Sequence, residues 1–263
     1  MNWLYLNQGA LSGAMNMAID EALLELAEPG SVIFRTYTWN PATLSLGVFQ
    51  KISDVNQEEL DKRGFGLVRR ATGGRAVLHD KELTYSIIIK TPHPLIEKNV
   101  LESYYYLCQG LVEGLRMLGV DAALKKSDDP SLSTPSCFAA PTFNDIEASG
   151  KKLVGSAQMR NRLGLLQHGS ILIDVDLNDL FAVITKDEAS AKRLADAAKS
   201  KITCINSEAG NRVSLEEVRH AIISGFEKSL NVSFSPIVFE GEMVNLSNEL
   251  CKNKYGSDTW TVR

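Results

Sequence analysis

The chain has 263 residues, 44% of them hydrophobic, with 28 basic against 32 acidic side chains and a formal net charge of −4. That is enough apolar material for a real core, and one domain spanning 1–263 is expected. The weakly acidic balance excludes a general nucleic-acid binder, which needs a dominant basic surface. No apolar run approaches the roughly 20 residues of a membrane helix.

Residues 13–27 are predicted to be a helix, with Ile19, Leu23 and Leu26 at i, i+4 and i+7. Strands are expected at 32–37 and 43–49, split by the turn dipeptide Asn40-Pro41. Ser53 is expected to cap a polar helix through Lys62, which Gly64-Phe65-Gly66 ends before a strand through Arg70. The β-branched run 83–89 reads as a buried strand. A long helix follows over about 99–118, with Tyr104, Leu107, Leu111 and Leu115 on one face. Residues 125–136 are polar and contain proline, the composition of a mobile loop. Strands are expected at 143–148, 151–159 and 164–174. From about 176 the pattern turns helical. Ser214 and Glu217 form a capping box ahead of the stripe Leu215, Val218, Ile222, Phe226, and 240–263 reads as a small helix plus a tail. Strands followed by helices indicate an α+β fold, a mixed sheet with helices on its faces and end.

The four cysteines (Cys108, Cys137, Cys204, Cys251) are scattered without CxxC spacing. No zinc site is expected, and reduced thiols in the cytoplasm are the natural setting. The N-terminus lacks the pattern of a signal peptide. Cys108 shares a helix face with Tyr104, Leu111 and Leu115 and reads as structural. Cys137 lies in the loop Ser133-Thr134-Pro135-Ser136-Cys137-Phe138-Ala139-Ala140-Pro141, where functional residues concentrate. The segment Gly150-Lys151-Lys152-Leu153-Val154-Gly155-Ser156-Ala157 follows, and strand alternation sends Lys151 and Lys152 to opposite faces. An ammonium beside a thiol favours the thiolate and can hold an oxyanion. A thiol on a loop and a lysine on the next strand suggest acyl transfer through a thioester.

A third segment is Arg69-Arg70-Ala71-Thr72-Gly73-Gly74-Arg75-Ala76-Val77-Leu78-His79-Asp80. Two glycines allow close backbone approach to a ligand, although a lone Gly-Gly is more often a turn between strands. Three arginines beside this turn form a local basic patch, a candidate to receive an acidic protein partner. His79 is expected to hydrogen-bond Asp80 or a backbone group and to position substrate. His168, in the middle of a strand, is expected to line a pocket wall. His93 and His220 carry no case for function.

Taken together, Arg-Arg-x-Thr-Gly-Gly at 69–74, Gly150-Lys151-Lys152 with Gly155-Ser156-Ala157, Leu166-Gln167-His168-Gly169-Ser170, and Asn16-Met17-Ala18 with Asp20-Glu21-Ala22 resemble the lipoate/biotin protein ligase superfamily. Within it the chain is most similar to the LipM-type octanoyltransferases. Arg75 stands where ATP-using ligases carry a third glycine, and Cys137 lies upstream of the lysine strand, where this branch keeps its nucleophile. Ala139 departs from the acidic residue that follows Cys-Phe in close relatives. The resemblance implies a mixed, mostly antiparallel sheet flanked by helices. It implies transfer of octanoyl from acyl carrier protein, through an acyl-S-Cys137 thioester, to a lysine of a lipoyl domain or of the glycine-cleavage H protein. Cys137 and Lys152 would be catalytic. Arg70, Thr72, Gly73, Gly74, Arg75, His79, Gly155, Ser156, Ala157 and His168 would bind substrate. Thioester to amide is downhill, so no ATP, metal or cofactor is implied, and neither is nucleic acid or membrane. An ATP-dependent lipoate–protein ligase and a non-catalytic acyl-carrier-binding homologue are the alternatives.

Overall fold

The computed structural model describes residues 1–125 and 145–262. In chain order the elements are β1 (Asn2–Leu11), α1 (Gly13–Leu26), β2 (Val32–Trp39), β3 (Thr43–Leu46), α2 (Gln57–Lys62), β4 (Gly66–Arg69), β5 (Val77–His79) and β6 (Glu82–Lys90). Then come α3 (Pro94–Glu97), α4 (Val100–Met117), β7 (Ala122–Leu124), β8 (Ile146–Ala148), β9 (Lys151–Asn161) and β10 (Gly164–Leu172). The last part holds α5 (Leu177–Ala182), α6 (Glu188–Ala198), α7 (Ile205–Glu208), α8 (Leu215–Leu230), β11 (Ser233–Pro236), α9 (Glu242–Leu250) and α10 (Asp258–Thr261).

Eight strands form one sheet in the order β11-β1-β2-β6-β10-β9-β8-β7. It is parallel only at the β11-β1-β2 end and antiparallel from β2 onward. Period-2 alternation sorts the side chains of β2. Val32 and Phe34 join the core under α4 and α8, while Ile33 packs under α1 on the other face. A second sheet, β4-β3-β5, stands beside the first and carries the Thr72-Gly73-Gly74 turn between β4 and β5. The mixed, mostly antiparallel sheet flanked by helices is the architecture expected above.

Several local expectations are corrected. Asn56, not Ser53, caps α2, its side-chain oxygen accepting from the Glu59 N–H. Asparagine is among the strongest capping residues, and Asn56 stands immediately before the first residue of the helix. Ser233–Pro236, inside the stretch read as helical, is an edge strand parallel to β1. Its short Ser-Phe-Ser-Pro sequence has too little alternation to announce itself. The C-terminal stretch is more than a helix and tail. The helical turn at Cys251–Tyr255 packs on α1, and Trp260 donates its indole N–H to the Arg69 carbonyl at 2.8 Å. The capping box at Ser214 and Glu217 is formed.

The helices α4 and α8 cross at glycines. A Cβ on Gly225 would stand 2.3 Å from both the Gly110 carbonyl oxygen and the Gly114 nitrogen. Backbone on both sides cannot yield as a side-chain tip would. Gly225→Ala is therefore expected to destabilise the fold by about 1–3 kcal/mol, read as a lower urea midpoint. An unchanged midpoint would contradict this close packing.

Candidate active site

A mainly apolar cavity opens where the small sheet meets the α1 face of the large one. Met17 of α1, Tyr37 and Trp39 of β2, Thr84 of β6, Val77 of β5 and residues 155–157 and 168–170 of β9 and β10 line it. Ser45, Arg70 and His79 supply its polar wall from the small sheet. Strand register explains the clustering. Gly155, Ser156 and Ala157 lie opposite Ser170, Gly169 and His168.

Behind this wall sits a buried carboxylate. Asp20 pairs with Arg35 at 2.7 Å, and the two side chains are 1% and 0% exposed. The Asp20 carboxylate also accepts from Ser86 at 2.8 Å and Tyr37 at 3.1 Å. Arg35 donates further to the Asn16 carbonyl and amide oxygens and to Gln8. Burial pushes the Asp20 carboxyl up, but the Arg35 charge and then the bonds from His168 and Ser86 outweigh it and leave it below its ordinary value. His168 places Nδ1 3.5 Å from Asp20 and Nε2 2.6 Å from the Thr72 hydroxyl. Burial lowers the His168 pKa, so the ring is neutral at pH 7. A carboxylate only accepts, so the proton sits on Nδ1, and Nε2 accepts from Thr72. One chain of contacts thus runs from α1 through β10 to the glycine turn.

A second carboxylate, Glu82, serves the other side. His79 meets Glu82 at 2.7 Å through Nδ1 and Ser45 at 2.8 Å through Nε2. Glu82 also accepts from Thr84 and Ser170. The His79 ring stacks on Trp39 with centroids 4.0 Å apart. The partner of His79 is therefore Glu82, not Asp80, because the β5–β6 turn brings residue 82 back across the sheet.

Arg69 and Arg70 correct a further expectation. Arg69 is fully buried and donates to the carbonyls of Gly47, Gln50, Trp260 and Thr261. Arg70 bonds the Ser45 carbonyl and hydroxyl and, at 2.8 Å each, the Gly73 and Arg75 carbonyls. Both guanidiniums hold backbone in place instead of projecting to solvent as steering charges. Of the predicted turn residues, Thr72, Gly73, Gly74 and Arg75 do not line the cavity; Thr72 and the carbonyls of Gly73 and Arg75 bond the lining residues His168 and Arg70, and Gly74 sits at φ +92°. The Gly74 carbonyl presses on Gly47, where a Cβ would come within 2.0 Å of it.

Lys152 is buried on β9, three residues before Gly155, and forms an ion pair with Asp145 at 2.9 Å. Lys151, on the opposite face, is half-buried. Cys108 is buried against Gln167, and burial pushes its thiol up to about 12, which leaves it inert. Cys137 and the rest of its loop lie outside the described residues.

The model of the lipoyl protein ligase A/B catalytic domain matches residues 12–227. The chain belongs to that family. It is 42% identical to octanoyltransferase LipM of Brevibacillus brevis, over 99% of each chain. It is 39% identical to octanoyltransferase LipM of Bacillus subtilis, over 99% of this chain and 98% of that one. Among solved structures it resembles lipoate-protein ligase A bound with ATP, with a TM-score of 0.82 and 26% identity over 100% and 99% of the two chains. It also resembles the bi-partite lipoate protein ligase from Thermoplasma acidophilum, with a TM-score of 0.84 and 26% identity over 100% and 96%. No helix among the described residues is long and apolar enough to cross a membrane.

In this family member, Arg35, Glu82, Asp145, Tyr37, Trp39 and Ser45 were not among the residues picked out from sequence. Arg35 has a usable signal, a charge directly after the apolar run Val32-Ile33-Phe34 within one strand, which requires a buried partner.

Removing the carboxylate would strand the Arg35 guanidinium. Asp20→Asn is expected to destabilise the fold by about 3–5 kcal/mol at neutral pH. The folded Asp20 pKa lies below its ordinary 3.8. Its contribution is therefore complete above that value and is lost as the pH falls through the folded one. Urea titrations of both proteins over a pH series should show the gap closing below pH 3.8. A gap that is negligible at neutral pH, or that does not narrow in acid, would contradict the pairing.

Proposed function

We infer that this chain is an octanoyltransferase of lipoyl-cofactor biosynthesis, an acyltransferase that moves octanoyl from a thioester donor to a lysine of an acceptor protein. The observation that carries the reading is whole-length identity to LipM octanoyltransferases, together with an apolar cavity lying on the strand of Lys152. The donor is octanoyl-acyl carrier protein, and the acceptor is a lipoyl domain or the glycine-cleavage H protein. Support for a lipoyl-domain acceptor comes from the similar bi-partite ligase, which is described with its E2 lipoyl domain.

In the reaction, the Cys137 thiolate attacks the octanoyl carbonyl. A tetrahedral intermediate forms and collapses, the carrier's pantetheine leaves as a thiolate that takes a proton from solvent, and octanoyl remains on sulfur. The deprotonated amine of the acceptor lysine then attacks this thioester, and an amide forms as Cys137 is released. Lys152 stabilises the thiolate and the oxyanion, and Asp145 holds its ammonium in place. The octanoyl chain lies in the cavity against Met17, Tyr37, Trp39 and Val77. At about 0.8 kcal/mol per buried CH₂ it gains roughly 5 kcal/mol, enough to recognise an acyl chain. Arg70, His79 and His168 keep the wall rigid, with Gly155, Ser156 and Ala157 forming its β9 side. Thr72, Gly73, Gly74 and Arg75 shape the turn behind it. The fold neighbours favour one second reading, an ATP-dependent lipoate ligase in which Cys137 is incidental.

Transfer rates separate the two. With octanoyl-carrier and a lipoyl domain, Cys137→Ala should abolish product, and Lys152→Ala should slow it by about 10²–10³. With lipoate and ATP, the parent should give no product. Lipoate ligation that survives Cys137→Ala would establish the ligase instead.

A further inference from the structure

Three lining residues of the cavity, Met17, Tyr37 and Trp39, are backed by a segment that supplies no lining residue itself. Tyr255, 1% exposed, and the half-buried Trp260 pack in one apolar cluster with all three and with Val68 of β4. The two backing rings meet edge-on, with centroids 5.8 Å apart at 78°. Polar contacts hold them from two directions. On α1, Glu21 accepts from the Tyr255 hydroxyl and from Lys254 at 2.6 Å, and the Lys254 ammonium lies 4.4 Å from the centre of the Trp260 ring. On β4, the Trp260 indole N–H bonds the Arg69 carbonyl at 2.8 Å, while the Arg69 guanidinium returns to the Trp260 carbonyl at 3.0 Å. That Arg69 carbonyl belongs to the peptide that carries Arg70, whose side chain lines the cavity. Residues 251–261 thus brace two walls at once, α1 through Glu21 and the Arg69-Arg70 segment through Trp260.

We propose that Trp260 is a positioning residue that sets the acyl length the cavity accepts, by holding its wall from behind. The proposal rests on the transferase reading above, in which the chain lies against Met17, Tyr37 and Trp39. A close-packed interior leaves those side chains nowhere to retreat while the indole stands behind them. Truncating the indole opens a void there, which the surroundings refill only in part. The lining side chains can then yield to a longer substrate. One methylene in an apolar pocket is worth about 10–200-fold in discrimination, so a small retreat is readable in the choice between chain lengths. A Trp260 that served stability alone would lower the folded fraction and every rate alike, and would leave the ratios of rates untouched.

The test compares the full-length parent, Trp260→Ala and the conservative Trp260→Phe. Each is mixed with hexanoyl-, octanoyl- and decanoyl-acyl carrier protein, and the initial rate of acyl-enzyme formation is read by intact mass. Trp260→Ala should raise the decanoyl-to-octanoyl rate ratio at least fivefold over the parent, with the hexanoyl-to-octanoyl ratio within twofold. Trp260→Phe keeps a ring in the cluster and should hold both ratios within twofold of the parent. If Trp260→Ala does not fold, Trp260→Leu is held to the same fivefold rise. A decanoyl-to-octanoyl ratio within twofold of the parent in the folded Ala or Leu variant overturns the proposal, including the case of an equal loss at every chain length. A parent that takes up no acyl group from any donor overturns the transferase function itself, which is a distinguishable result.

Discussion

A charge buried away from water must be matched, and the Asp20–Arg35 pair is where this chain meets that requirement. Both partners are nearly inaccessible, so each fixes the other, and the hydrogen bonds around them fix the surroundings. Asn16 and Asp20 lie one turn apart on α1, Arg35 and Tyr37 two residues apart on β2, and Ser86 on the neighbouring β6. Through His168 the same carboxylate reaches Thr72. The helix, the sheet and the turn behind the cavity therefore move as one body, and the cavity lining inherits that rigidity.

The cations of the Arg-Arg-x-Thr-Gly-Gly-Arg motif show how charge can serve geometry instead of recognition. An arginine presents five donors in a planar fork, and Arg69 and Arg70 direct theirs at carbonyls. Arg69 ties the Gly47–Gln50 turn to the C-terminal helix, while Arg70 holds the glycine turn open beside Ser45. Neutral His168 extends the same logic, since its unprotonated nitrogen is free to accept from Thr72 only while burial keeps the second proton off. In an acyl-transfer site such fixed dipoles are useful because they need no reorganisation as charge moves.

Much of this was legible beforehand. Helical spacing placed α1, α4 and α8, and β-branched runs placed β2 and β6. Motif order along the chain gave the family and the mixed, mostly antiparallel sheet. Lys152 and His168 were picked out by their places on strands, and both are buried there. Pairings across the fold were not legible. Glu82 looks like an ordinary charged strand end until a turn sets it against His79, and Asp145 is one acid among many until β8 lies beside β9. The Trp260–Arg69 contact spans most of the chain, a separation no local pattern encodes. The roles of Arg69 and Arg70 are hidden for a related reason, because sequence shows that a cation is present but not which acceptors surround it.

The central claim is that a thiol on residue 137 carries the octanoyl group in transit. Incubating the protein with octanoyl-acyl carrier protein, quenching in acid and mapping the proteolytic peptides by mass spectrometry tests it most directly. The account predicts one octanoyl group on the peptide bearing Cys137, removed by hydroxylamine as a thioester should be. An octanoyl group on any other residue, or product formed with no acyl-enzyme at any time point, would contradict it.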